Sequence, residues 1–494
     1  MESFPKFILE HDGADTFDVR FLTSVRQQFG ADAERVISTL AVRKKLKDKV
    51  PQWFAEPSLV YPKPLAGEQC SSSATAFYKA SLLRSLAASA GKSALRVADL
   101  TGGLGVDSWA FSQVAEEVLY NEMDAELADA ARGNFAALGC TNIRVSCAEI
   151  TPDSLPSVLG DFAPDVIFLD PARRSASGRK VFRLADCSPD LIALKDSLLR
   201  LCPYVLVKVS PMADIAQLGR ELGDCLQAVH CVAVGDECKE LLLVLQSGDQ
   251  TGDQTGDLSD DLSDDLSDDL SDDQSGTGRS RVAEDERKCS SQPVRTGLYA
   301  VQLSSSWAGA NSHCVAENKG KCSPVAIGSS QNNPSAAGSI VFSIEEEREA
   351  EISLLKDEEV LREAGFMFIP GPALTKAGAF NLLCSRFNLR KLGHSTHLYV
   401  PSGADLPAVL RLLGKRYRIC AVLPFDKTGI REAATRWPKA DVTARNLPLD
   451  SEGLRKRLGI KTGGAIHLFG FRADFRNGTS GKYLLAAEPY NESI

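Results

Sequence analysis

The stretch richest in potential chemistry runs Arg96-Val-Ala-Asp-Leu-Thr-Gly-Gly-Leu-Gly-Val-Asp107. A short apolar run ends in an acid, Asp99, and a glycine-rich turn carries the chain into a helical pattern. Glycine lets a backbone pass close to a ligand where a Cβ would clash. Gly103 and Gly105 are therefore candidate cradling positions, flanked by Thr101 and Asp107. The next apolar run ends at Glu122, 17 residues past Gly105, near the spacing at which an acid meets the hydroxyl pair of a ribose. Glu149 closes a third run, where it could face an adenine amine. A fourth, Asp165-Val-Ile-Phe-Leu169, ends in Asp170-Pro-Ala-Arg-Arg174. An acid followed by proline at the end of an apolar strand opens Asp170 and Pro171 onto the crevice where open α/β sheets bind ligands. Arg173 and Arg174 add fixed donors suited to phosphate. The fifth run ends Val207-Lys-Val-Ser-Pro211 and brings further polar groups to the same edge.

These residues need a scaffold of alternating elements. Apolar runs at 95–100, 118–120, 143–145, 166–169, 205–209, 228–234 and 241–245 alternate with helical stretches, which predicts βα units and a mainly parallel, doubly wound sheet. Between the second and third runs, Leu127, Ala131, Phe135 and Leu138 share one helical face, with Asp124 as the cap. Residues 1–92 read as a helical region and 93–247 as the α/β domain. Eleven aspartates between Asp249 and Asp273, in Asp-Leu-Ser-Asp repeats, mark 248–293 as an acidic low-complexity linker. Asp and Ser form helices poorly and the like charges repel, so the leucine period of four predicts no helix there. Order returns in 294–391, interrupted by a Ser/Asn/Gly-rich insertion at 304–338, with helices expected at 356–363 and around 373–387. Residues 392–490 alternate strands and helices in an α+β pattern.

Composition narrows the class. The chain has 494 residues, 44% hydrophobic and 24% charged, as in ordinary globular proteins. No apolar run nears the ~20 residues of a membrane span, and the start does not read as a signal peptide, so the expected location is the cytoplasm and no membrane partner is expected. Thirteen cysteines without a Cys-x-x-Cys pair, and dispersed histidines, predict free thiols and no metal site. The net charge of −9 hides an asymmetry: without the aspartate tract the balance is +2, and Arg386 to Lys461 carries 16 basic against 6 acidic residues. Such a segment suits nucleic acid.

Over about Ser93 to Leu245, the glycine turn, the acid on the second strand and the Asp-Pro on the fourth resemble class I S-adenosylmethionine-dependent methyltransferases. Their first motif runs acid-x-Gly-x-Gly-x-Gly; here Thr101 stands at the first glycine. A narrower resemblance covers nearly the whole chain. Gln69-Cys-Ser-Ser72, Asp170-Pro-Ala-Arg-Arg174, Ser210-Pro-Met212, Glu237-Cys-Lys-Glu-Leu241, Lys376-Ala-Gly-Ala-Phe380, His397-Leu-Tyr399 and Arg445-Asn-Leu-Pro448 are similar to a bacterial class I methyltransferase family with a ferredoxin-like domain and a C-terminal THUMP-like domain. The resemblance implies a Rossmann-like sheet and an S-adenosylmethionine site built from Asp99, Thr101, Gly103, Gly105, Asp107, Glu122, Glu149 and Asp170. It also implies an RNA substrate, since THUMP domains accompany RNA-modifying enzymes.

For the reaction, Asp170, Pro171 and Arg173 are the expected catalytic set, with Asp170 beside the methyl acceptor. Related N-methylases follow the acid with Pro-Pro and an aromatic residue that stacks on the base. Ala172 and Arg173 replace that pair, and an Arg plane can stack instead. RNA uracil-5-methyltransferases need a nucleophilic cysteine after the next strand, where this chain has Ser210-Pro211; Cys202 precedes that strand. A nitrogen or ribose oxygen is therefore the expected acceptor. Two alternatives stay open: a nucleotide-dependent oxidoreductase and a non-catalytic RNA-binding protein on a methyltransferase fold.

Overall fold

The structure is a computed structural model that describes residues 4–173, 183–247, 296–304, 338–402 and 406–490. The acidic linker, Arg174 and nearly all of the Ser/Asn/Gly-rich insertion lie outside the described residues.

All seven expected apolar runs are strands. They are β1 (Arg96–Asp99), β2 (Glu117–Asn121), β3 (Ile143–Ser146), β4 (Val166–Leu169), β7 (Tyr204–Val209), β8 (Leu226–Val234) and β9 (Glu237–Gln246). Two-residue strands β5 (Ala172–Arg173) and β6 (Cys187–Ser188) form a separate ribbon. β3, β2, β1, β4 and β7 pair in parallel. β9 runs antiparallel between β7 and β8, because the tight turn from β8 leaves no room for a crossover. The chain builds outward from β1 through β2 to β3, then restarts on the other side of β1 with β4. That reversal is the topological switch point, where the strand ends diverge and open a crevice.

β4 is apolar on both faces because each face is covered. One face packs on helices Leu191–Leu201 and Ile215–Leu222, the other on the N-terminal helices through Val42, Leu46, Trp53 and Leu83. The helix after β2 spans Ala125–Ala137, and Asp124 caps it by accepting from the backbone N–H of Glu126 and Leu127.

The sheet is wider than seven strands. β10 (Gly297–Leu303) pairs in parallel with β8, and β11 (Gly338–Ser343) pairs antiparallel with β10, giving nine strands in all. The expected 294–391 ferredoxin-like unit is thus divided: its first two strands extend the first sheet. Nothing local in either segment names the edge it joins.

A second sheet contains β12 (Phe366–Pro370), β13 (Leu389–Gly393), β14 (Thr396–Pro401), β15 (Gly414–Pro424), β16 (Asp441–Arg445), β17 (His467–Asp474) and β18 (Ser480–Pro489), in the order β13-β14-β12-β15-β18-β17-β16. It runs unbroken through the expected boundary at 391/392, since β12 pairs with both β14 and β15. The helix expected around 373–387 is two, Pro372–Ala377 and Leu382–Phe387. Gly378 at φ 80° separates them, a left-handed conformation that ends a helix. Ala373, Leu374 and Leu382 from this region join the core under the first sheet, so the two sheets dock through buried apolar surface. Among the described residues, no helix is long and apolar enough to cross a membrane.

Candidate functional site

A cavity of about 780 Å³ opens at the carboxyl ends of β1 and β4, at the switch point. One wall is the turn Leu100–Asp107. The turn is held from below. Asp99 is fully buried and accepts from Ser108 Oγ at 2.6 Å and from the Thr101 N–H at 3.2 Å. Among the described residues it is not one of those that line the cavity; it stands behind the turn and sets its shape. Burial pushes the Asp99 carboxyl up to about 8, with Asp107 and Asp170 adding to the rise and the Ser108 and Thr101 donors opposing it.

The two tight glycines have steric reasons. A Cβ on Gly102 would lie 2.1 Å from the Tyr120 ring, whose hydroxyl donates to the Gly103 carbonyl at 2.6 Å. Gly105 has φ 95°, and a Cβ there would sit 2.7 Å from Phe135 Cζ. Replacing Gly105 by Ala is expected to cost about 1–3 kcal/mol through the strained φ alone, with further loss from the clash. A fall in the denaturant midpoint checks this. Gly103 differs: at φ 53°, a Cβ would meet nothing nearer than the Thr101 carbonyl at 4.0 Å. Its surface is open at the cavity wall.

The two acids expected near a ribose and an adenine both line the cavity. Glu122 is half-buried. Its Oε2 accepts from the Gly103 N–H at 2.8 Å and its Oε1 from the Asp124 N–H at 2.9 Å, so the carboxylate is fixed in orientation. Each oxygen retains a lone pair for a ligand hydroxyl. Glu149 is exposed on the same wall. Asn121 ties the strand ends together, donating to the carbonyls of Leu100 and Ala148 at 3.2 and 3.0 Å. Thr101 bridges the turn to the opposite wall: its hydroxyl accepts from the Asp170 N–H at 2.6 Å. The hydroxyl at the departed glycine position thus locks β1 to the end of β4.

On the far wall stand Asp170, Pro171 and Ala172, with Ser188 of the β5–β6 ribbon and Pro189 just after it. Arg173 lies in that ribbon, its backbone paired with Cys187. Asp170 forms a hydrogen-bonded ion pair with Lys208 of β7, whose side chain is only 14% exposed. Burial alone would lower the Lys208 pKa. Asp170, then Glu240 and Asp107, outweigh it and raise the value above that of an ordinary lysine. Deeper in, Lys79 has no solvent exposure. It donates to Glu240 at 2.9 and 3.1 Å and to Ser71 Oγ at 2.8 Å, and lies 3.1 Å from Asp107 Oδ1. Ser71 in turn donates to Asp107 Oδ2 at 2.8 Å. Asp107 therefore serves both as cavity wall and as anchor of this buried cluster.

The sequence reading did not single out several wall residues. Lys63, Gln69, Cys70 and Ser71 come from the N-terminal region, and Lys239 from β9. The available signals were the Glu237-Cys-Lys-Glu-Leu241 motif, which holds Lys239, and the Gln69-Cys-Ser-Ser72 motif, whose Ser72 caps helix Ser73–Ser89, the helix that carries Lys79. Cys70 reaches the cavity although no cysteine follows the fifth strand; burial pushes its thiol up, away from the thiolate. Cys202 is buried at the opposite edge of the sheet and donates to the Pro164 and Tyr204 carbonyls.

Because Asp99 is held protonated, it links stability to pH. The unfolded chain releases this proton near about 3.9, whereas the folded chain holds it up to about 8. In that window the unfolded state binds fewer protons, so this carboxyl makes stability fall as pH rises from about 4 to 8. Asp99→Asn is expected to flatten that fall, read as urea midpoints against pH for both proteins.

A ferredoxin-like domain model matches residues 366–407 and a THUMP domain-like model matches residues 414–489. Over the whole chain, the fold matches the crystal structure of a methyltransferase candidate from Porphyromonas gingivalis W83. That match has a TM-score of 0.69 and 25% identity, and covers 99% of this chain and 98% of the other. The chain carries a ferredoxin-like and a THUMP-like domain beside a methyltransferase fold. Partial matches include a Streptococcus mutans methyltransferase candidate in complex with SAH, at TM-score 0.23 and 11% identity, covering 31% of this chain and 88% of the other. Another is an RNA methyltransferase candidate from Pyrococcus horikoshii, at TM-score 0.22 and 19% identity, covering 34% and 77%. No curated protein matches the chain in sequence. The THUMP-like domain begins at β15, and the ferredoxin-like domain supplies β12, β13 and β14 of the shared sheet.

Proposed function

We propose that the protein is an S-adenosylmethionine-dependent methyltransferase acting on RNA, at a nitrogen or a ribose oxygen. The observation that carries the reading is one cavity walled on one side by the glycine turn with Glu122 and on the other by Asp170. The residues present fit the donor. Gly103 offers an open backbone surface, the oriented Glu122 carboxylate suits a ribose hydroxyl pair, and Glu149 suits an exocyclic amine. When bound, S-adenosylmethionine supplies an electrophilic methyl on a sulfonium. The chain's part is to hold, orient and take up a proton: Asp170 receives or orients the acceptor's hydrogen, beside Ala172 and Ser188 of the β5–β6 ribbon.

RNA as substrate is supported by the THUMP-like domain's charge. Lys427, Arg431, Lys439, Arg445, Arg457 and Lys461 are exposed, and Arg457 lies over the Phe425 ring at 4.9 Å. Replacing Arg431 or Lys461 by Ala is expected to weaken RNA binding across sequences and to reduce the slope of log K against log salt by about 1 each, measured by filter binding over a salt series. The catalytic reading is tested by mass mapping of modified nucleosides in RNA from a deletion strain against wild type. A mark that is lost on deletion and restored by the wild-type chain but not by Asp170→Ala supports it; no lost mark refutes it.

A further inference from the structure

We infer that the methyl acceptor is a ribose hydroxyl rather than a base nitrogen, and that Lys208 is the catalytic group that selects it. This rests on the methyltransferase reading and narrows it.

The cavity ends in a row of charges of alternating sign. Asp170 touches Lys208; Lys208 lies in the field of Glu240 and Asp107; and both of those acids contact Lys79. Lys208 is thereby held as an ammonium at the cavity wall, next to the carboxylate expected beside the acceptor. A fixed ammonium discriminates by the charge that develops during reaction. A neutral exocyclic amine that attacks the methyl gains positive charge, which Lys208 opposes. A hydroxyl whose proton passes to Asp170 as it attacks carries negative charge on its oxygen, which Lys208 stabilises. Buried at 14% exposure, the ammonium acts with little solvent screening.

The free valences agree. Lys208 spends one N–H on Asp170 Oδ2, and among the described residues no other hydrogen-bond partner is seen for its Nζ or for Asp170 Oδ1. Nζ can donate to an acceptor oxygen while Oδ1 takes the hydroxyl proton. The O–H bond breaks with its proton passing to Asp170. The oxygen's electron pair forms the new O–CH3 bond, and the S–CH3 bond of the sulfonium donor breaks with its pair left on sulfur. Asp170 then returns the proton to solvent.

The test uses the full-length protein, methyl-labelled S-adenosylmethionine and total RNA from a deletion strain, followed by alkaline hydrolysis. A methyl on the ribose 2′-oxygen blocks cleavage at its own phosphodiester, so the label should emerge in alkali-stable dinucleotides. Label in mononucleotides means a base acceptor and overturns the inference while leaving the methyltransferase reading standing. No transfer to any RNA removes that reading and this one with it. Lys208→Met should lower transfer at least about 100-fold with S-adenosylhomocysteine binding by calorimetry little changed, and Lys208→Arg, which keeps the charge, should recover part of the loss. Undiminished transfer by Lys208→Met overturns the role of Lys208. The position of the label is read on the wild-type chain and does not depend on either variant folding.

Discussion

Asp170→Ala is expected to lower methyl transfer to RNA by about 10²–10⁴-fold, the range contributed by a positioned proton acceptor, while the fold and most of the cofactor affinity survive. The side chain is 35% exposed, so its truncation leaves no buried void. What it leaves is Lys208, an ammonium without its counter-ion at the cavity wall. The variant should therefore bind neutral S-adenosylhomocysteine better, relative to cationic S-adenosylmethionine, than the wild-type chain does. Calorimetry with both ligands, beside initial rates of labelled-methyl transfer, checks both parts. Unchanged transfer would remove Asp170 from the mechanism.

The largest effect on stability is expected at Lys79. Its ammonium has no access to solvent and neutralises Glu240 and Asp107, the first of them only 2% exposed. Lys79→Met keeps the bulk of the chain but removes the one cation that contacts both acids among the described residues. Removing one partner of a buried pair costs about 3–5 kcal/mol, and urea unfolding followed by circular dichroism should show a loss of that size. The double change Lys79→Met with Glu240→Leu should recover part of it, since an apolar pair of similar volume avoids the desolvation cost. Failure of Lys79→Met to destabilise would mean that the cluster is not closed to water.

Much of the site was legible because its signals are local. An apolar run that ends in an acid places Glu122, Glu149 and Asp170 at strand ends without reference to distant residues. The cap at Asp124 could be separated from the cavity acid at Glu122 because a helix follows Asp124 at once. Asp99 was harder to place. Its type and position match those of a ligand-touching acid, and only the tertiary structure shows its complete burial beneath the turn. The helix expected at 356–363 is two residues shorter, Glu358–Glu363, and Asp357 caps it. The helix expected at 373–387 failed at Gly378, where a left-handed φ interrupts an otherwise helical pattern.

By itself the sequence determined the α/β class, the seven central strands, the glycine turn and the acids at the strand ends. These follow from hydrophobic period, backbone freedom at glycine and capping, each acting over a few residues. Tertiary structure alone decided that Lys208 meets Asp170 and that Lys79 meets Glu240 across 161 residues of chain. It also decided that β10 and β11 join the first sheet and that one sheet runs through both C-terminal domains. The reason is that an ion pair or a strand edge finds its partner through the packing of the whole chain, and a lysine reads alike in sequence whether it ends in water or against a buried carboxylate.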